Sequence, residues 1–132
     1  MTTMTGGRAL VKSLANHGID TLFGIPGVQL DHLYNALYEE RNAVRVINTR
    51  HEQAAAYMAF GYAQAGARPG AFAVVPGPGF LNATAALSTA YACNAPVLCV
   101  SGQIPTAQIG RGLGLLPDNE IAEHFDPGAP RG

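Results

Sequence analysis

Ala71-Phe72-Ala73-Val74-Val75-Pro76-Gly77-Pro78-Gly79-Phe80-Leu81-Asn82 is an apolar run halted by two proline–glycine pairs and resumed with helical spacing. Beyond the turn, Phe80, Ala83, Leu87 and then Ala90 or Tyr91 recur on one helical face. A strand that passes through a tight turn straight into a helix is the first part of a βαβ unit, and Pro96 to Val100 supplies the strand that follows.

The same grammar repeats toward the N-terminus. Val44 to Asn48 carries three β-branched residues and reads as a strand, and Glu52 to Ala65 is rich in alanine and other helix formers. Asp20 to Ile25 is a compact apolar run ending at Pro26-Gly27, after which Leu30, Leu33, Tyr34 and Leu37 stand at i, i+3, i+4 and i+7. Leu10, Val11 and Leu14 mark a first helix, stopped at Asn16-His17-Gly18. Strands and helices alternating through short connections predict an α/β fold, with a parallel sheet covered by helices on both faces. From Ala107 the periodicity fades, and Asp126 to Gly132 has the composition of a mobile tail. The chain is therefore divided into a folded domain over residues 1–112 and a divergent, disordered tail over 113–132.

With 132 residues, one core and one cleft are expected. Hydrophobic residues make up 48% and charged residues 13%, so little solubilising charge is left for a free-standing monomer, and much of the surface is expected to lie under another chain. The net charge of -1 and the lack of any Lys/Arg cluster argue against nucleic acid or an anionic membrane as partner. Met1 to Gly7 lacks the progression of a signal peptide and no apolar run reaches bilayer length, which predicts a cytoplasmic protein. Cys93 and Cys99 have no ligand-spaced neighbours and read as reduced core residues; no metal site is expected within this chain.

In a parallel α/β sheet the loops after the strands gather at the C-terminal edge, where ligands bind. Here those loops carry Gly24-Ile25-Pro26-Gly27, Arg50-His51-Glu52, Pro76-Gly77-Pro78-Gly79 and Ser101-Gly102-Gln103. Gly77 to Asn82 partly imitates a dinucleotide fingerprint, but Asn82 stands where its third glycine belongs. No Asp or Glu follows between Glu52 and Asp118 to hold a ribose. Glu52 is thus an isolated acid at a strand-to-helix junction, and its position alone fits a first-turn glutamate favoured by the helix dipole as well as a reactive one. His51 adjoins it, though neighbours in extended backbone point to opposite sides. His17, His32 and His124 read as helix-surface or tail residues.

Taken together, Phe23-Gly24-Ile25-Pro26-Gly27, Arg50-His51-Glu52-Gln53-Ala54-Ala55, Gly61-Tyr62-Ala63, Gly77-Pro78-Gly79 with Asn82, and Pro96-Val97-Leu98 leading to Ser101-Gly102-Gln103 resemble the N-terminal pyrimidine domain of thiamine diphosphate enzymes, in the acetolactate synthase-like group. The resemblance runs from about Leu10 to Gly112. It implies a thiamine diphosphate-binding fold in which Glu52 hydrogen-bonds N1′ of the aminopyrimidine and favours its imino tautomer, a role suited to a carboxyl group partly withdrawn from water. By the same resemblance Pro26 and Gly27 border the pyrimidine, Gly77, Pro78 and Gly79 let backbone approach the cofactor, and Asn82 supports that turn from the helix start. His51 and Gln103 stand on the substrate side.

Members of this group hold the diphosphate through Mg²⁺ on a separate domain with a Gly-Asp-Gly motif, which this sequence lacks. The resemblance therefore implies half of an active site, completed by a diphosphate-binding domain of another chain, with self-association and a 2-oxo acid such as pyruvate as substrate. The sheet is expected to be incomplete at its C-terminal side. A separate subunit, a truncated product and an excised domain all fit this pattern, and an inactive fragment or association module is the alternative function.

Overall fold

The computed structural model describes residues 3–66 and 68–109. In chain order its elements are α1 (Gly6–Asn16), β1 (Thr21–Gly24), α2 (Asp31–Glu39), β2 (Arg45–Asn48), α3 (Glu52–Ala65), β3 (Gly70–Val74), α4 (Pro78–Ala92) and β4 (Val97–Ser101). Short 3₁₀ turns occupy Val28–Leu30 and Thr106–Gln108. The alternation read from the sequence is present, with each strand within a residue or so of its expected place.

Local chemistry explains the helix ends. Thr5 caps α1 by accepting the Arg8 N–H at 3.3 Å. At the other end Gly18 takes φ +79°, the Gly18 N–H bonds the Ala15 carbonyl and the Ile19 N–H bonds the Leu14 carbonyl, each at 3.0 Å. Leu14 and Ile19 are both buried, so this left-handed turn closes the helix and returns the chain to the core at once. The end of α4 repeats the device with Asn94 at φ +50°, and the Ala95 N–H reaches the Ala90 carbonyl at 2.9 Å. Asparagine tolerates that conformation better than other residues bearing a Cβ.

All four strands are parallel, in the order β2-β1-β3-β4. Alternation along each strand sends side chains to opposite faces. Leu22, Ala71 and Ala73 pack under Val11, Leu14, Leu33 and Leu37 of α1 and α2. Phe23, Phe72 and Val74 pack under Ala55, Ala56, Ala59, Ala83 and Ala86 of α3 and α4. Helices thus cover both faces, with leucines filling one layer and alanines the other. The small side chains let α3 lie close on the sheet: a Cβ on Gly70 would run into the Ala59 carbonyl.

Two details of the sequence reading are resolved by the structure. Of the residues read for the core face of α4, Ala83 and Ala90 are buried and Phe80 and Leu87 pack partly against the core, while Tyr91, the alternative to Ala90, is 70% exposed. Cys93 is exposed at the end of α4 rather than in the core; Cys99 is partly buried against the core, and that burial pushes its thiol pKa up to about 12. The tail expected over 113–132 and His124 lie outside the described residues. Among the described residues no helix is long and apolar enough to cross a membrane.

Candidate functional site

The strand order fixes where a crevice forms. From β1 the chain moves outward to β2 through α2 on one face, whereas β3 leads to β4 through α4 on the other. The connections leaving β1 and β3 therefore diverge, and the gap beyond the C-terminal ends of these neighbours is the topological switch point. The loops carrying Pro26 and Gly27, and Pro76 to Gly79, border it.

Gly77 has φ +63° and ψ −118°, a conformation essentially reserved for glycine, and this bend allows Pro78 to start α4 at its first helical position. Gly79, one residue on, is buried. A Cβ there would stand 2.6 Å from Val75 Cγ2 and 3.6 Å from Glu52 Oε1. A Cβ on Gly27, across the gap, would overlap Val75 Cγ1. Val75 therefore occupies the side-chain space of both glycines, and the Glu52 carboxyl lies on the Gly79 side.

Glu52 begins α3 and is half-buried. Its Oε2 accepts a hydrogen bond from the Asn82 side-chain amide at 3.0 Å. The bond links the first turns of α3 and α4. It leaves Oε1 as the carboxylate oxygen next to the glycine backbone. Asn82 thus acts on the glutamate, a contact the sequence reading did not foresee because it placed Asn82 at the turn.

His51 is exposed and caps α3, its Nδ1 accepting the Gln53 N–H at 3.2 Å. In that state the ring is the neutral tautomer protonated at Nε2, since Nδ1 must keep its lone pair. Gln103 is exposed and folds onto its own loop, with Oε1 accepting the Ile104 N–H at 2.8 Å. Pro26 and Pro78 are exposed at the mouth. Glu52, Gly27, Gly79 and Asn82 are therefore brought together, whereas His51 and Gln103 spend a polar atom on local backbone. His17 likewise sets its Nδ1 2.8 Å from the Ser13 carbonyl of its own helix, and His32 is exposed.

Val75 and Gln29 are neighbours of the site that the sequence reading did not single out. Val75 reads as the last residue of an apolar strand, and the signal that marks it is its place directly before the Pro-Gly pairs. Gln29 lies against Gly102, whose Cβ would fall 2.9 Å from Gln29 Cβ, so the loop after β4 also closes on the loop after β1. Behind the crevice, the Tyr34 hydroxyl approaches Gly24 and is buried without a hydrogen-bond partner among the described residues. Burial raises its pKa to about 12.

The strand order, with helices on both faces and a switch point between β1 and β3, defines a doubly wound α/β domain. The chain belongs to the family of the thiamine pyrophosphate enzyme N-terminal TPP binding domain, whose model matches residues 4–125. It is 44% identical over 118 residues to a probable 2-ketoarginine decarboxylase of Pseudomonas aeruginosa, covering 89% of this chain and 21% of that protein. It is 41% identical over 107 residues to a probable acetolactate synthase large subunit of Methanocaldococcus jannaschii, covering 81% of this chain and 18% of that protein. The mitochondrial acetolactate synthase catalytic subunit of Saccharomyces cerevisiae is 35% identical over 107 residues, covering 81% and 15%. The chain thus spans about a fifth of the length of the curated relatives it matches.

Proposed function

We propose that this chain supplies the pyrimidine-holding wall of a thiamine diphosphate site in an acetolactate synthase-like or 2-oxo acid decarboxylase-like enzyme, with Glu52 as its acid–base group. The observation that carries this reading is the free side of Glu52: Asn82 holds Oε2, and Oε1 borders the bare backbone of Gly79, where a flat heteroaromatic ring can approach. A carboxyl group there can hold or release the proton of a ring nitrogen, the role in which acid–base groups accelerate reactions most effectively. Pro26, Gly27, Gly77, Pro78 and Gly79 border the ring, and His51 and Gln103 lie toward the substrate. When bound, thiamine diphosphate supplies an acidic thiazolium carbon and an electron sink for breaking or forming a carbon–carbon bond beside a carbonyl.

The diphosphate and Mg²⁺ belong to another domain in this reading. The relatives are more than four times as long as this chain and have room for such a domain. Association with a second chain is favoured by Tyr57, Met58 and Tyr91, large side chains of α3 and α4 that stand exposed.

The test is calorimetric titration of the chain with thiamine diphosphate and Mg²⁺, alone and mixed with the diphosphate-binding domain of a relative. Binding in the mixture, lost on Glu52→Gln, is the expected result. Tight binding by the chain alone overturns the half-site reading, and failure of binding in the mixture overturns the cofactor reading.

A further inference from the structure

Val75 touches both glycine-bearing loops of the crevice. One of its methyl groups, Cγ1, fills the space beside Gly27 where a side chain would begin, and the other, Cγ2, does the same beside Gly79. That second position lies in turn 3.6 Å from Glu52 Oε1. The loop after β1 and the start of α4 are therefore both arranged around one isopropyl group, and the Glu52 carboxyl lies beside the Gly79 side of it. Valine is suited to the task, since branching at Cβ restricts its χ1 and makes it a stiff spacer rather than a yielding one.

We propose that Val75 is a positioning residue that sets the width of the switch-point crevice. A shorter side chain lets the two loops close on each other; a longer one pushes them apart or enters the gap. For the ligand, and resting on the function proposed above, this width decides whether a planar aminopyrimidine fits between glycine backbone on either side. Val75 has no acid–base chemistry, so its effect is on ligand fit and loop spacing.

A double-mutant cycle on the full chain tests the spacing without ligand. Gly79→Ala lowers the denaturation midpoint by forcing a methyl group against Val75 Cγ2. Adding Val75→Ala makes room for it, so the double variant falls by less than the two single losses combined, and Gly27→Ala behaves in the same way. Additive losses at either glycine overturn the proposal. Should the alanine variants not fold, amide resonances of Gly27 and Gly79 decide instead: both shift in Val75→Leu, and a shift confined to one loop is the contrary result.

Ligand fit is read in the cofactor-binding mixture. Val75→Leu is expected to weaken affinity by about tenfold or more, the scale of overpacking. The two readings fail separately. If Glu52→Gln leaves affinity intact, the proposed function falls while the cycle still judges the spacer; if Glu52→Gln abolishes binding but Val75→Leu does not weaken it, the spacer falls alone.

Discussion

Asn82 Nδ2 lies 3.0 Å from Glu52 Oε2, so a single side-chain hydrogen bond joins the first turns of two helices whose bonded residues are 30 positions apart in sequence. The bond runs across the C-terminal edge of the sheet, between elements that start after different strands. It fixes which carboxylate oxygen is left over, and so turns a glutamate at a helix N-terminus into a group with a direction.

Replacing either partner should therefore affect chemistry more than folding. On the proposed function, in which Glu52 is the acid–base group, Glu52→Gln is expected to lower turnover of the assembled enzyme by roughly a hundredfold or more. Asn82→Ala keeps the acid but frees its orientation, and a loss of about tenfold is expected, in keeping with a hydrogen bond to a charged group at a partly exposed site. Both variants should keep the parent's circular dichroism and melt within a few degrees of it. Equal turnover in the parent and Asn82→Ala would show that the bond does not orient the acid.

Cys93 and Cys99 should separate cleanly in a thiol-reactivity assay. Cys93 is exposed, while Cys99 is largely buried on β4 with its thiol pKa raised to about 12 by that burial. Because the thiolate is the nucleophile, Cys99 is inert near neutral pH as long as the fold is closed. One thiol should react quickly with a chromogenic disulfide reagent, Cys93→Ser should abolish that phase, and denaturant should expose the second. A fast phase that survives Cys93→Ser would mean that the β4 region opens readily.

The sequence carried the alternation of strands and helices because each apolar run is closed by residues with strong local preferences: Gly18, Pro26-Gly27 and Pro76 to Gly79 act within a turn of where they stand. It carried the crevice as well, since the loops after parallel strands share one edge. Its limit lay in contacts whose partners are far apart in the chain. Nothing local to Asn82 distinguishes a residue that supports its own turn from one that reaches across to Glu52. For Val75 the limit lies at Gly27, far off in the chain, whereas its place directly before the Pro-Gly pairs marks the Gly79 side. Cys93 was misplaced because an uncharged residue at a helix end carries no local sign of whether a neighbour covers it.

Tyr34 offers a stability test of a buried polar group. Its hydroxyl has no hydrogen-bond partner among the described residues, and a Cβ on Gly24 would stand 2.7 Å from it. A buried hydroxyl that has given up water without replacing it is a net cost. Tyr34→Phe should thus leave stability unchanged or raise it by up to about 1 kcal/mol, read by denaturant titration. A clear loss would reveal a buried water serving the hydroxyl. Gly24→Ala, by contrast, should destabilise strongly, since its new methyl group meets both the Tyr34 hydroxyl and the Ala73 carbonyl.

Acid sensitivity should trace to the opposite end of the sheet. Asp20, just ahead of β1, accepts a hydrogen bond from the Tyr62 hydroxyl at 2.7 Å and pairs with Arg68. Its pKa is held below the ordinary 3.8, chiefly by the Tyr62 bond, with Thr21 and Arg68 adding to it against the opposing effect of burial. A carboxylate whose folded pKa is depressed contributes stability that is fully present above its unfolded pKa and is lost as pH falls through the folded value. The melting temperature attributable to Asp20 should therefore hold steady from neutral pH to about 5 and decline below the ordinary carboxylate range. Glu40, held low by Arg8, works in the same direction. Asp20→Asn should flatten part of the acid limb, and Tyr62→Phe is expected to flatten more of it than Arg68→Ala, because the hydroxyl bond is the largest single influence on the carboxylate. If Arg68→Ala flattens it more, the ion pair rather than the tyrosine governs Asp20, and the hydrogen bond between α3 and the entry to β1 is the weaker tie.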